Sequence, residues 1–370
     1  MRPPSVYTSS LAAPAMRSNL RRDADAKFAR ARGRLPMQGT LPSAPSSSFI
    51  LPPSSFSSAA FTILEVLVAS AVLILMLGVV LSTISQTSLV TRRATSKISS
   101  FQSARAAFDL ITETLSQATL NSYWDYDNPL SPTKYLRKSE LHFLIGKAGA
   151  DPFGGIPGTG QAVYFQAPAG GSTTFDGLET LLNAVGYFIT YGDEDALPSP
   201  FPSAGEKYRY RLMQAVQSAE NLGVYSATAG NDWAKAVKDS AVPVAENIIY
   251  MAAWPRKAPT EDPDGAALTS AYSYDSRQGA ANPSQPETAN QMPPMVQITI
   301  VAMDETSAAR VCTGGSTPTE ISNAFTGLFQ DSNQTKFDAD IITLKGRLDS
   351  ARINYRIFTA AVPIRESKMQ

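Results

Sequence analysis

This chain of 370 residues is poor in the side chains on which most enzymes depend. It holds one cysteine, Cys312, and one histidine, His142. A lone thiol forms no intrachain disulfide, so an exported domain of this sequence must rest on its apolar core. A lone histidine excludes multi-histidine zinc sites and leaves acid–base chemistry to carboxylates. Cys312 lies near Gly314 and Gly315 with no histidine close in sequence to activate it. No Gly-x-Ser-x-Gly, P-loop, His-Glu-x-x-His or strand-following Gly-x-Gly-x-x-Gly occurs. Charge is also missing in one respect: 32 basic and 32 acidic side chains cancel. A balanced surface argues against nucleic acid as a partner, because such binding needs excess positive charge. The chain is therefore expected not to be an enzyme.

What the sequence does have is one concentrated apolar run. Phe61 to Leu81 reads FTILEVLVASAVLILMLGVVL, with a single carboxylate, Glu65. As a helix rising about 1.5 Å per residue, it reaches ~31 Å, enough to cross a bilayer core. The alternative is a buried helix of a soluble core, but those are usually shorter and show a polar face. Glu65 is the anomaly. A carboxylate at the centre of a span costs about 2.5–3.5 kcal/mol on insertion scales and less near an end, so it normally has a partner. An interfacial Glu one turn from the start is the plainer alternative.

Residues 1–60 form a leader that is either removed or left unfolded. Seven basic residues from Arg17 to Arg34 face only Asp23 and Asp25, and Leu41–Ala60 holds eight Ser and four Pro. Translation could begin at Met1, Met16 or Met37. After the span the helix is expected to continue to about Leu120. Phe101, Ala104, Phe108, Ile111, Leu115 and Ala118 recur at three- and four-residue steps, and no Pro or Gly interrupts from Val79 to Asn121. Two helices meeting near Ser82–Ser88 are the alternative.

From Ser122 the pattern becomes that of strands. Candidate runs are Glu140–Ile145, Gln161–Gln166, Val185–Tyr191, Lys207–Gln214, Glu246–Ala253, Val296–Ala302 and Arg352–Val362. Short helices are expected at Gly177–Asn183, Asn231–Asp239 and two places between Thr319 and Leu348. Segment 255–294 has no sustained periodicity and reads as a flexible surface insertion. The expected fold class is α+β: a long N-terminal transmembrane and amphipathic helix (61–120, spanning half 61–81), then a mainly antiparallel β-rich globular domain (121–370).

The residues around Glu65 carry a resemblance. Ala60 to Val66, AFTILEV, resembles the cleavage and methylation signature of type IV prepilins and type II secretion pseudopilins. The later stretches GYFITYGDED, AENIIYMAAWP, VQITIVAMDETSAAR and RIFTAAVPIRESK resemble the C-type proteins of the Verru_Chthon cassette, a pilin-like group. The plan of a long helix and then a β-rich domain is similar to minor pseudopilin J. The resemblance implies cleavage between Ala60 and Phe61 by a prepilin peptidase, methylation of Phe61 by its N-methyltransferase activity, and pairing of Glu65 with the new amino terminus of a neighbouring subunit. Most members carry Gly before the cut, where this chain has Ala60. Phe61, Ile63, Leu64, Val66, Leu67 and Val68 would pack the span against other pilin-like subunits. The resemblance also implies a single-pass inner-membrane protein with a cytoplasmic N-terminus and a periplasmic domain.

Three further groups call for a reading. Asp193, Glu194 and Asp195 form an acidic loop, the candidate for a metal beside the plainer reading of a solvated acidic turn; Ca²⁺ is the ion its oxygens suit, and otherwise no cofactor is expected. Tyr123, Trp124 and Tyr126, beside Asp125 and Asp127, are expected to cap the helix and fill core, with a ligand-stacking patch as the alternative. His142, between Leu141 and Phe143, reads as structural. Two functions stay open: a minor pseudopilin-like subunit of a periplasmic fibre or its tip, and a signal-anchored periplasmic binding protein that does not polymerise.

Overall fold

The computed structural model describes residues 62–150, 159–178, 180–193, 207–226 and 232–369. The leader, Ala60, Phe61, Glu194 and Asp195 lie outside the described residues. The chain divides into two compact units, Met1–Val68 and Ala69–Gln370.

One helix, α1 (Ile63–Ser116), opens the described chain. It runs without a break through the Ser/Thr-rich stretch where two helices were the alternative. Thr83 Oγ1 donates to the Val79 carbonyl and Thr87 Oγ1 to the Thr83 carbonyl, both at 2.9 Å. Hydroxyls that bond back one turn leave the helical ladder in place, so they do not end it. Further on, the expected stripe faces inward: Ala104, Phe108, Ile111, Leu115 and Ala118 are all buried, and Phe101 packs at its margin.

Eleven strands follow among the described residues, and every pairing between them is antiparallel. The strands β1 (Tyr123–Tyr126) and β2 (Tyr135–Lys138) make a two-stranded ribbon. A six-stranded sheet has the order β7 (Ala241–Glu246), β6 (Arg209–Gln217), β5 (Leu182–Gly192), β4 (Gln161–Pro168), β3 (Leu144–Lys147), β9 (Tyr274–Asp275). A three-stranded sheet has the order β11 (Tyr355–Pro363), β10 (Met295–Met303), β8 (Ile248–Arg256). Helices α2 (Asp232–Lys238), α3 (Glu305–Val311), α4 (Thr319–Phe325) and α5 (Gln334–Ser350) complete the chain. The architecture is a long helix followed by a mainly antiparallel β domain, α+β as the pattern implied.

The sheets meet through β8, buried along its whole length against β4, β5 and β6. Helix α1 is fastened to the six-stranded sheet by Tyr187, whose hydroxyl donates to Thr114 Oγ1 at 3.2 Å and accepts from Gln214 Nε2 at 2.8 Å. Phe108 meets Phe358 of β11 at 5.9 Å between ring centres. The Thr119 amide donates to Gln166 of β4, and Arg365 donates its amide to the Ser116 carbonyl, satisfying a helix-end acceptor. On β10, the alternation of Val296, Ile298 and Ile300 against Gln297 and Thr299 is present, but both faces are covered. The polar face is tolerated because Gln297 Oε1 accepts from Arg256 and Thr299 meets Thr359 across the strands.

Four expectations need correction. The run Glu246–Ala253 is not one strand. Asn247 adopts a left-handed φ of 62°, ends β7, and passes the chain from the six-stranded to the three-stranded sheet. Gly177–Asn183 is not a helix; Gly177 has φ 78°, and Leu182 and Asn183 already belong to β5, paired with Pro168 and Ala167. Segment 255–294 keeps most of its residues exposed or half-buried, as a surface insertion would, but it is tied down by buried anchors. Tyr272, Tyr274, Ala289 and Met292 are buried within it, Tyr274 donates its hydroxyl to the Gln291 carbonyl, and Gly265 lies so close to Trp254 that a Cβ there would sit 2.3 Å from the ring. Isolated anchors of this kind leave no period in the sequence. Tyr123, Trp124 and Tyr126 do not fill core: they are 42%, 63% and 42% exposed on the ribbon.

The candidate assembly helix and the polar clusters

The first turn of α1 is built by Thr62. The Glu65 amide donates to Thr62 Oγ1 at 3.2 Å and to the Thr62 carbonyl at 3.0 Å. Thr62 is therefore the N-cap and Glu65 the third helical residue, the spacing of a Thr-x-x-Glu capping box. That spacing was visible in the sequence, and it gives the carboxylate a local reason to be there: it faces the positive end of the helix dipole. Glu65 is exposed, and among the described residues no ion-pair partner accompanies it.

The rest of this half of the helix is apolar on every side. Fourteen large apolar side chains from Ile63 to Leu81, among them Leu64, Val66, Leu67 and Val68, are 46–83% exposed. Burial of each is worth about 1.5–3 kcal/mol, so leaving them in water forfeits on the order of 20–40 kcal/mol. A folded domain is stable by only about 5–15 kcal/mol, so this surface calls for lipid or other helices around it. The segment is long and apolar enough to cross a membrane.

The other candidate residues fall elsewhere. Asp193 accepts the Lys207 amide at 3.0 Å, which closes the β5–β6 loop; its expected companions Glu194 and Asp195 lie outside the described residues. Among the described residues no group of three or more His, Cys, Asp or Glu side chains is placed to hold a metal ion. Cys312 is buried at the end of α3, and burial pushes its thiol up to about 11.

His142 is completely buried and held at both nitrogens. Trp233 Nε1 lies 3.0 Å from Nδ1, and Asp275 Oδ1 lies 2.7 Å from Nε2. Indole is a donor only, so Nδ1 accepts and Nε2 carries the proton to Asp275. Burial lowers the tendency of His142 to ionise, against the pull of Asp275. Burial pushes Asp275 the other way, but its bonds from His142 and the Arg277 amide outweigh that and keep its carboxyl below the usual range. The result is a clamp of neutral imidazole and ionised carboxylate joining α2, β9 and the lead into β3.

On the ribbon, Trp124 and Arg137 are paired residues, as are Tyr126 and Tyr135, so all four share one face. Arg137 lies 5.7 Å from the Trp124 ring centre, and the two tyrosines stack at 4.9 Å. The opposite face holds Tyr123 against Glu140 and a 2.7 Å Lys138–Asp125 ion pair.

A cluster that sequence reading missed lies where α1 passes β7. Arg211, Glu246, Asn247 and Glu305 come together there beside Ser99 and Ser103. They come from β6, the end of β7, the bend that follows it and α3, so no local motif announces them. No family profile, curated protein or solved structure matches the chain.

Proposed function

We propose that this chain is a minor pseudopilin-like structural subunit that assembles through the apolar half of α1 into a type II secretion or type IV pilus-like periplasmic fibre or its tip. The observation that carries the reading is Glu65: one acid, without an ionic partner among the described residues, on a helix whose other side chains there demand lipid or neighbours. Cleavage before Phe61 by a prepilin peptidase would create an ammonium group four residues from that acid. In a low-dielectric setting each charge removes the other's desolvation cost, provided the amine comes from a neighbouring subunit. The protein then sits in the inner membrane before assembly, with its β domain in the periplasm. It is a substrate of the peptidase and N-methyltransferase rather than a catalyst.

A second reading is favoured by the ribbon. Trp124, Tyr126 and Tyr135 are exposed on one face, an arrangement suited to a membrane-anchored binding protein that presents aromatic rings to an envelope glycan. Photo-crosslinking from Leu73 in membranes separates the two. Adducts to the helices of other pilin-like proteins are expected for the fibre subunit, and an uncrosslinked monomer for the binding protein.

A further inference from the structure

The cavity of about 420 Å³ between α1 and β7 has the makings of a ligand site, independent of how the helix assembles. At its inner wall stands Arg211, with a side chain only 3% exposed. One of its terminal nitrogens, Nη1, donates to the carbonyls of Gly192 and Asp193 at 3.0 and 3.2 Å. The other edge of the guanidinium, Nε and Nη2, makes no hydrogen bond among the described residues. The nearest acid is Glu246, 39% exposed: its Oε1 stays 3.6 Å from Nε, while its Oε2 accepts from Lys207 at 3.4 Å. Beside it, the left-handed Asn247 gives its amide Nδ2 to Glu305 at 2.8 Å and leaves its buried Oδ1 without a donor. Glu305 is already occupied by Arg209 at 2.7 Å.

A buried guanidinium edge whose acidic neighbour stands beyond hydrogen-bond distance is costly, and a parallel pair of N–H donors matches a carboxylate. The orphaned Asn247 oxygen asks for a donor close to that carboxylate. A dianion such as phosphate is disfavoured, because Glu246 and Glu305 are also charged neighbours. We propose that this cavity binds a small carboxylate carrying a hydrogen-bond donor on its α carbon, an α-amino or α-hydroxy acid. Its carboxylate replaces Glu246 at the Nε/Nη2 edge of Arg211, Glu246 swings to solvent, and its amine or hydroxyl donates to Asn247 Oδ1. Ser99 and Ser103 line the cavity and are themselves exposed, so the remainder of the ligand would reach solvent past them. The volume falls within the usual range for small-molecule sites, about 300–1,000 Å³.

The test uses the full chain in detergent micelles and saturation-transfer NMR with glycine, glycolate, acetate and inorganic phosphate. Glycine or glycolate should bind saturably, with acetate and phosphate at least about tenfold weaker. Binding of glycine but not glycolate identifies an amino acid as the ligand, and the reverse a hydroxy acid. Arg211→Lys keeps the charge but loses the fork, and should weaken binding by about tenfold or more. Ser103→Leu, at an exposed position, fills the entrance and should abolish binding without disturbing the fold, so the test survives if Arg211→Lys does not fold. The proposal is overturned if none of the probes saturates, which would mean the cavity holds water and Glu246 simply closes on Arg211. It is overturned equally if acetate or phosphate matches the α-substituted acids, or if Ser103→Leu binds as the wild type does.

Discussion

Replacing Glu65 with glutamine separates two roles that alanine would confuse. In the structure the residue occupies the third helical position behind the Thr62 cap, where either Glu or Gln completes a capping box. If capping were its whole role, Glu65→Gln would be close to neutral and Glu65→Ala would cost about 0.5–1 kcal/mol of local helix stability. If Glu65 instead meets a neighbour's ammonium in the membrane or the fibre core, glutamine and alanine remove the same charge. The orphaned ammonium then costs about 3–5 kcal/mol, which at ~1.4 kcal/mol per tenfold is a loss of roughly two to three and a half orders of magnitude in assembly. The assay is sedimentation of sheared fibres from cells co-producing the other subunits, with intact mass of the membrane-bound chain as a control for processing. Both variants should be cleaved normally and both should fail to assemble. Fibres from Glu65→Gln at wild-type yield, with only Glu65→Ala impaired, would refute the ionic pairing and leave a helix cap.

Three further outcomes follow from the β domain. Acid should weaken the fold through the Trp233–His142–Asp275 clamp. His142 has a folded pKa below its unfolded value near 6.5, so the unfolded chain binds the extra proton and stability falls as pH drops below about 6.5. Asp275, also held low, contributes a further loss with the same sign at still lower pH. Denaturant midpoints between pH 8 and 4 check this, and His142→Gln should flatten the upper part of the profile. Trp233→Ala, in a fully buried ring that also meets Tyr164 edge-on, should cost about 3–5 kcal/mol, while Trp124→Ala on the exposed ribbon should change stability by about 0.5 kcal/mol or less. Equal losses at the two sites in urea unfolding would contradict the placement of both. Gly186→Ala should destabilise by about 1–3 kcal/mol, because its Cβ would lie 2.3 Å from the Tyr164 ring; an unchanged midpoint would show that the ring moves freely.

The parts legible in sequence were those with a repeating physical signal. The apolar run became one exposed helix, the three- and four-residue stripe from Phe101 to Ala118 became its buried face, and the alternation of β10 became a strand, though one covered on both sides. Three kinds of feature were illegible. Single anchors such as Tyr274 and Met292 hold segment 255–294 without any period. The left-handed Asn247 divides what reads as one apolar strand, since Asn enters that conformation with no fixed flanking pattern. Composition also misled at Tyr123–Tyr126: aromatic strands are usually core, yet this ribbon pairs only with itself and leaves its rings outside. In α1, the acid in the apolar run is plain in sequence, and Thr62 three residues before it is the cap of the first turn. The Arg211 cavity joins residues from β6, β7, α1 and α3, and only the folded chain brings them together.

The most direct measurement of the central claim is the amino terminus of the chain recovered from membranes, by N-terminal sequencing and intact mass. A subunit that assembles through Glu65 should begin at Phe61, bear a methylated amine there, and lack residues 1–60. A membrane-bound chain that still carries the Arg-rich segment from Arg17 to Arg34 would contradict it, because no amine could then form beside the acid.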